Sequence, residues 1–324
     1  MTGKGKDIGI CALGELLIDF TDIGVSQNGS KIFERNPGGA PANLLATAQA
    51  LGVPTAFIGK VGNDMHGLYL KGLLESLGID CSGLVVDPDV FTTLAFVELG
   101  EDGERQFSFA RKPGADTQLS PEEVNLSIIE RSNVFHIGSL SLTDEPARSA
   151  TMHALEVARR AGCIISYDPN YRASLWDSEQ HASDRMKSVL PMVDAIKVAE
   201  DEAFLLTGRT DPEGASDSLL EAGASLAVVT LAERGAFVRC RDGSCNVSRR
   251  KVDAADTTGA GDSFWGGFLA AMLKSGRQLE GVGIDDAMGF AEVGCAVASL
   301  CVQKLGGIPS IPSMVEVESV LGNN

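Results

Sequence analysis

Val252-Asp253-Ala254-Ala255-Asp256-Thr257-Thr258-Gly259-Ala260-Gly261-Asp262-Ser263-Phe264, running on into Trp265-Gly266-Gly267-Phe268-Leu269-Ala270, is the most informative stretch of the chain. The small residues at 259 to 261 let the backbone come close to a ligand, and the pattern after them predicts a helix over 263–275, stopped by Gly276. The first turn of such a helix has unpaired N–H groups and the positive end of the dipole, so the stretch reads as an anion site. A carboxylate is the wrong residue for gripping a phosphate, yet Asp262 follows the glycines directly. Asp caps helices well, and that is the plain reading of its place. The sharper reading is that Asp262 takes the proton from an attacking hydroxyl while the neighbouring amides stabilise charge on a transferred phosphoryl group. The two roles do not conflict, and spacing alone leaves both open.

Outward from this stretch, short apolar and β-branched runs alternate with helical patterns. The runs are 8–13, 57–61, 134–137, 164–167, 195–198 and 227–230. Helices are expected over 42–51 and 145–161, ended by Gly52 and Gly162 in the manner of 263–275. This alternation marks a mostly parallel sheet covered by helices. The runs 91–97 and 105–110, joined by Gly100-Glu101-Asp102-Gly103, break the rhythm with a hairpin signal. With the region about 15–36, a segment about 89–112 is expected to form a small β lid over a site, on a single domain spanning 1–324. The apolar residues Phe91, Leu94, Phe96 and Phe107 offer that lid a pairing face, which predicts a homodimer through the lid.

The 324 residues are 44% hydrophobic and 22% charged, with a formal net charge of -17. That composition buries a core, and that field repels nucleic acid and anionic membrane. Seven scattered cysteines without C-x-x-C spacing read as reduced thiols, and no apolar run of membrane-spanning length occurs, so a soluble, cytoplasmic protein is expected. The four histidines lack paired metal-ligand spacing. Neither G-x-x-x-x-G-K-[ST] nor a G-x-G-x-x-G after the first strand is present, which excludes the P-loop and dinucleotide folds as the source of phosphate binding.

Two further clusters carry polar groups. Asn36-Pro37-Gly38-Gly39-Ala40-Pro41-Ala42-Asn43 is either a helix start built from Pro and Gly or a place where sugar hydroxyls meet backbone and amide groups. Asp168-Pro169-Asn170-Tyr171-Arg172 follows a strand directly, as a turn or as a ligand-facing group, and Asp19 lies near the end of the first strand run, at the ligand edge of such a sheet.

These residues resemble the two signature regions of the PfkB-type, or ribokinase-like, carbohydrate kinases. The likeness runs from Asn36–Gly67 to Asp256–Gly267 and covers essentially the whole chain. Within the family the strongest likeness is to bacterial fructokinases, through G-E-x-L-I-D-F in the first strand region, Phe109-Ala110-Arg111-Lys112-Pro113-Gly114-Ala115-Asp116, and Leu175-Trp176 after Arg172. The resemblance implies a three-layer α/β/α fold with a β lid and transfer from MgATP to a primary sugar alcohol. D-fructose is the leading acceptor and 2-keto-3-deoxygluconate the alternative, with a non-catalytic sugar or nucleotide sensor as the rival of another class. It also implies that Asp262 is the base, with Gly259, Ala260 and Gly261 as the anion hole. Asp19, Gly38, Gly39, Asn43, Arg111, Asn170 and Arg172 would hold the sugar. Lys197, Glu202, Thr230, Glu233 and Gly235 would lie along ATP, and Asp256, Thr258, Cys301, Lys304, Gly306 and Ser310 would surround a potassium ion. The sequence departs from the family pattern at three positions. Ala199 replaces the Asn of an N-x-x-E element tied to magnesium, Ala232 replaces a glycine of T-x-G-x-x-G, and Glu292 stands where many relatives carry Asn near the adenine.

Overall fold

The computed structural model describes residues 5–99 and 105–322, and the side chains of 98–99 and 105–107 are outside the description. The strands are β1 (Ile8–Leu13), β2 (Leu17–Val25), β3 (Lys31–Gly38), β4 (Thr55–Gly62), β5 (Asp80–Asp87), β6 (Leu94–Leu99), β7 (Arg105–Ala110), β8 (Ser132–Ile137), β9 (Ile164–Tyr167), β10 (Ala195–Ala199), β11 (Leu226–Thr230), β12 (Ala236–Cys240) and β13 (Gly243–Val247). Nine of them form one sheet in the order β13-β12-β11-β10-β9-β8-β1-β4-β5. Every described neighbour pair from β11 to β5 is parallel, and β12 and β13 close the far edge as an antiparallel hairpin.

Alternation along the strands divides the core. On β1, Ile10 and Ala12 face the helices Ala40–Ala50, Ala260–Lys274 and Ile284–Cys301. Cys11 and Leu13 face the opposite layer, which includes Ala147–Arg160 and Pro212–Glu221. A period of two with both faces buried is what a central sheet between helical layers requires, and it makes the fold a three-layer α/β/α sandwich.

The helix Ala260–Lys274 is seated by glycine rather than by bulk. A Cβ on Gly266 would lie 2.6 Å from the Leu44 carbonyl oxygen, and one on Gly267 would lie 3.3 Å from the Gly294 Cα. Backbone therefore meets backbone on two sides, which fixes the position of the helix start. The helix Ile284–Cys301, rich in Ala, Gly, Val and Ser, was not anticipated from the sequence.

A second sheet, β3-β2-β6-β7, stands apart. Its strands fall within 17–38 and 94–110, close to the expected lid segments about 15–36 and 89–112. The β6–β7 pair is antiparallel as the hairpin signal predicts, its Gly100–Gly103 turn lying outside the described residues. Phe91 precedes β6 instead of belonging to it, and the Phe107 side chain is outside the description. Phe20 and Phe96 stack with centroids 5.3 Å apart, and Phe20 also meets His66 edge-on at the helix Met65–Ser76, which docks this face on the body.

Candidate active site

Parallel strands gather their carboxyl ends at one edge, and that edge carries a cleft of about 830 Å³. Body and lid both line it: Asn43, Asn170, Arg172, Lys197, Gly259, Gly261 and Asp262 from the body, with Leu17, Asp19 and Phe109 from the lid sheet.

Gly259 has φ 73°, a left-handed conformation suited to glycine, and opens the helix that begins at Ala260. Asp262 lies in the first turn, only 9% exposed, and its Oδ2 accepts a hydrogen bond from Asn43 Nδ2 at 2.9 Å. Asp262 is therefore not the N-cap, which is Gly259 without a side-chain cap. Burial pushes the Asp262 carboxyl above the usual carboxylate range, while the Asn43 bond and the charges of Lys197 and Arg172 pull it back.

Lys197, from β10, places its ammonium beside the same turn: a Cβ on Gly261 would be 3.0 Å from Lys197 Nζ. Asp168, at the end of β9, holds that ammonium at 2.9 Å through Oδ2. Burial works against the lysine's charge, but Asp168 and Glu202 outweigh it and keep it protonated. The Asp168 Oδ1 is buried with no hydrogen-bond partner. Burial also raises the Asp168 and Glu202 carboxyls, opposed chiefly by Lys197.

The remaining expected residues divide by what already occupies them. Gly38 and Gly39 bring backbone where no side chain fits, since a Cβ on Gly38 would strike Asp19 Oδ2 at 2.0 Å and one on Gly39 the Glu15 carbonyl at 2.4 Å. Asn170 lines the cleft at φ 48°, a conformation Asn tolerates better than most residues. Arg111 does not line it. Its guanidinium is buried among Asp116 (2.7 Å), the Thr143 hydroxyl and the Leu140 carbonyl, so it ties the lid's base to the body. Glu202 is likewise engaged, accepting the Tyr171 and Ala199 N–H groups at 2.7 Å each. This second bond fixes the chain where the family's Asn is replaced by Ala199.

On the far side, Thr230 donates to the Val198 carbonyl at 3.3 Å, and Glu233 is exposed on the β11–β12 turn. Gly235 has a packing reason, because a Cβ there would lie 2.0 Å from the Val247 carbonyl oxygen. Ala232 lines the cleft at φ 51°, which explains why glycine suits this position better. Beyond this turn Ser248, Arg250, Glu292 and Cys295 line a smaller cavity of about 220 Å³.

Asp256 accepts the Thr258 N–H at 2.8 Å and the Gly306 N–H at 2.9 Å, clasping two loops. Nearby the Cys301 thiol and Ser310 hydroxyl are 2.7 Å apart, and Ser310 donates to the Gly307 carbonyl at 2.7 Å. The Lys304 ammonium pairs with Glu316 at 3.1 Å, leaving its backbone carbonyl as the oxygen expected of it.

Sequence reasoning passed over Glu15 as a site residue. It lines the cleft 3% exposed, with Oε1 accepting the Ala40 N–H at 2.9 Å and Oε2 buried without a partner. Burial raises its carboxyl to about 7. The only signal for it was its place in the G-E-x-L-I-D-F run. A buried carboxylate, an adjacent ammonium, a helix N-terminus and a polar cleft can together bind a phosphorylated ligand and take a proton from a hydroxyl.

The pfkB family carbohydrate kinase model matches residues 7–314. Fructokinase-1 of Oryza sativa subsp. japonica is 40% identical over 317 residues, covering 97% of each chain. Among solved structures, fructokinase with bound ATP from Xylella fastidiosa superposes with TM-score 0.90 at 29% identity, covering 98% of this chain and 99% of that one. A double mutant of fructokinase from Vibrio cholerae O395, bound to fructose, ADP and a potassium ion, gives TM-score 0.85 at 27% identity, with 98% and 99% covered. The chain belongs to the pfkB family of carbohydrate kinases.

Proposed function

We propose that this kinase transfers the γ-phosphoryl group of ATP to the primary hydroxyl of D-fructose, giving fructose 6-phosphate, with Asp262 as general base. The observation that carries this reading is the buried Asp262 carboxylate, held by Asn43 and set in the same helix turn as the Gly259–Gly261 backbone and the Lys197 ammonium. A sugar hydroxyl beside Asp262 gives up its proton to the carboxylate as its oxygen attacks phosphorus. The first-turn amides and Lys197 stabilise the charge that develops on the transferred group. A binder without catalysis gains nothing from a carboxylate facing a phosphate, which argues against the sensor.

Asp19, Asn43, Asn170 and Arg172 are assigned to the sugar, with Glu15 added for its unpartnered oxygen. The nucleotide is proposed to run from the helix turn past Ala232 toward the cavity at Glu292. The buried carboxyls Asp168, Glu202 and Asp262 outnumber the buried Lys197 and the half-buried Arg172, so a further phosphate needs a divalent cation to offset it. Magnesium fits the free oxygen of Asp168, with Asp201 on the cleft lining, and would neutralise phosphate charge. Potassium fits the oxygen-rich crossing of Asp256, Thr258, Gly306 and Ser310, a reading supported by the potassium in the Vibrio cholerae protein. A single domain with the lid inserted and a lid-mediated homodimer complete the proposal, the latter supported by the exposed apolar residues Ile23 and Val25 on β2.

A coupled ADP-release assay across fructose, glucose, ribose, 2-keto-3-deoxygluconate and adenosine tests the assignment. Fructose giving the highest kcat/KM supports it. Preference for 2-keto-3-deoxygluconate would move Arg172 to the role of carboxylate partner, and no ADP release with any acceptor would remove catalysis.

A further inference from the structure

We infer a second carbohydrate subsite beside the catalytic cleft, between the lid strand β7 and the loop after β9; the inference rests on the cleft being the sugar site. A cavity of about 350 Å³ lies there, within the range of ligand pockets and at its small end, which suits one monosaccharide ring. Phe109 lines both this cavity and the cleft, so the two adjoin through one aromatic wall.

The lining has the chemistry of a neutral polyol site. Trp176 and Phe109 offer aromatic faces to the C–H face of a sugar ring, and Asp144, Asp177 and Ser174 offer hydroxyl partners around it. Arg111 and Lys112 also line the cavity, but Asp116 neutralises Arg111 and the carboxylates Asp144 and Asp177 share the wall with Lys112, so the lining has no net positive charge for a phosphate. The indole Nε1 of Trp176 is buried without an acceptor. An interior donor left without a partner is disfavoured, and a ligand hydroxyl that reached Nε1 by a small shift of the indole would remove that defect. The indole ring itself packs on the core and meets His181 edge-on at 5.9 Å, but neither contact supplies Nε1 with an acceptor.

The occupant is a free hexose or the second ring of a short fructose-containing saccharide whose first ring fills the cleft. Calorimetry without ATP distinguishes them, using D-fructose and a fructose disaccharide as probes on wild type, Trp176→Ala and Ser174→Trp. Ser174 is exposed, so its replacement fills the cavity without touching the core. Two fructose molecules per wild-type chain, falling to one in both variants with kcat/KM at low fructose kept within about twofold, establishes the free-hexose site. One disaccharide per chain, bound at least tenfold more weakly by both variants, establishes the extended ligand. One fructose per wild-type chain and no variant effect on the disaccharide overturns the subsite while leaving fructose phosphorylation intact. Loss of ADP release with fructose in wild type would instead overturn the reading on which it rests.

Discussion

Asp168, Lys197 and Asp262 on the body side of the cleft are at most 9% exposed, whereas Ile23 and Val25 on the lid are 54% and 65% exposed. The body side is built from strand ends and one helix start, each held by packing on both faces of the sheet. Its charges cannot relax toward water, so their mutual placement sets their protonation. The lid has one sheet, one docked aromatic face and an apolar remainder that a partner could cover. The proposed function thus puts its chemistry on the body wall and leaves access and assembly to the lid.

Variants on the two walls sharpen that contrast. The largest effect is expected for Asp262→Asn, which keeps size and folding but lowers kcat by at least about 10²-fold with sugar binding retained. Turnover near that of wild type would remove Asp262 from the mechanism. Lys197→Met is expected to lower kcat by roughly 10²-fold, the scale for one lost anion-stabilising donor. Because Lys197 holds the Asp262 carboxyl down, its loss moves the acid limb of the rate profile to higher pH. On the lid, Val25→Glu should leave kcat/KM within about threefold yet convert a dimer to monomer in sedimentation at micromolar concentration. Monomeric wild type under those conditions would discard the dimer.

Smaller effects concern stability. The Glu15 carboxyl, raised from 4.5 to about 7, keeps its proton longer when folded than when unfolded. Its contribution is full below 4.5 and is lost as pH rises through about 7, on the order of 3 kcal/mol. Glu15→Gln should flatten the fall in thermal stability across that window, and an unchanged slope would contradict the burial argument. Ala232→Gly relieves a left-handed alanine and should add roughly 0.5 kcal/mol, read as a small rise in denaturant midpoint.

The sequence showed most clearly what local chemistry decides. The first strand run 8–13 matches β1 in both bounds, and Gly52, Gly162 and Gly276 take positive φ after their helices as expected. The helix Ile284–Cys301 escaped notice because its second half, from Gly294 to Cys301, is small or apolar and buried on nearly every side, which blurs the one-faced 3.6-residue pattern. The β12–β13 hairpin escaped because β12 is only five residues of nearly continuous buried apolar run and β13 is short and polar, so neither shows a clear alternation. In the site, residue types pointed to the carboxyl edge of the sheet, where Asn43, Asn170, Arg172 and Asp262 line one cleft, but partners could not be read from spacing. Arg111 and Glu202 have the chemistry expected of ligand-binding groups, yet Asp116 and two backbone amides claim them. The pairing of Asp168 with Lys197 joins residues 29 positions apart and became visible only in three dimensions.

The pH dependence of kcat/KM for fructose, in wild type and Asp262→Asn, tests the central claim most directly. Wild type should lose activity on the acid side along a limb lying above the ordinary aspartate range, and the residual activity of the variant should lack that limb. The same limb, unshifted in Asp262→Asn, would contradict the assignment of Asp262 as the base.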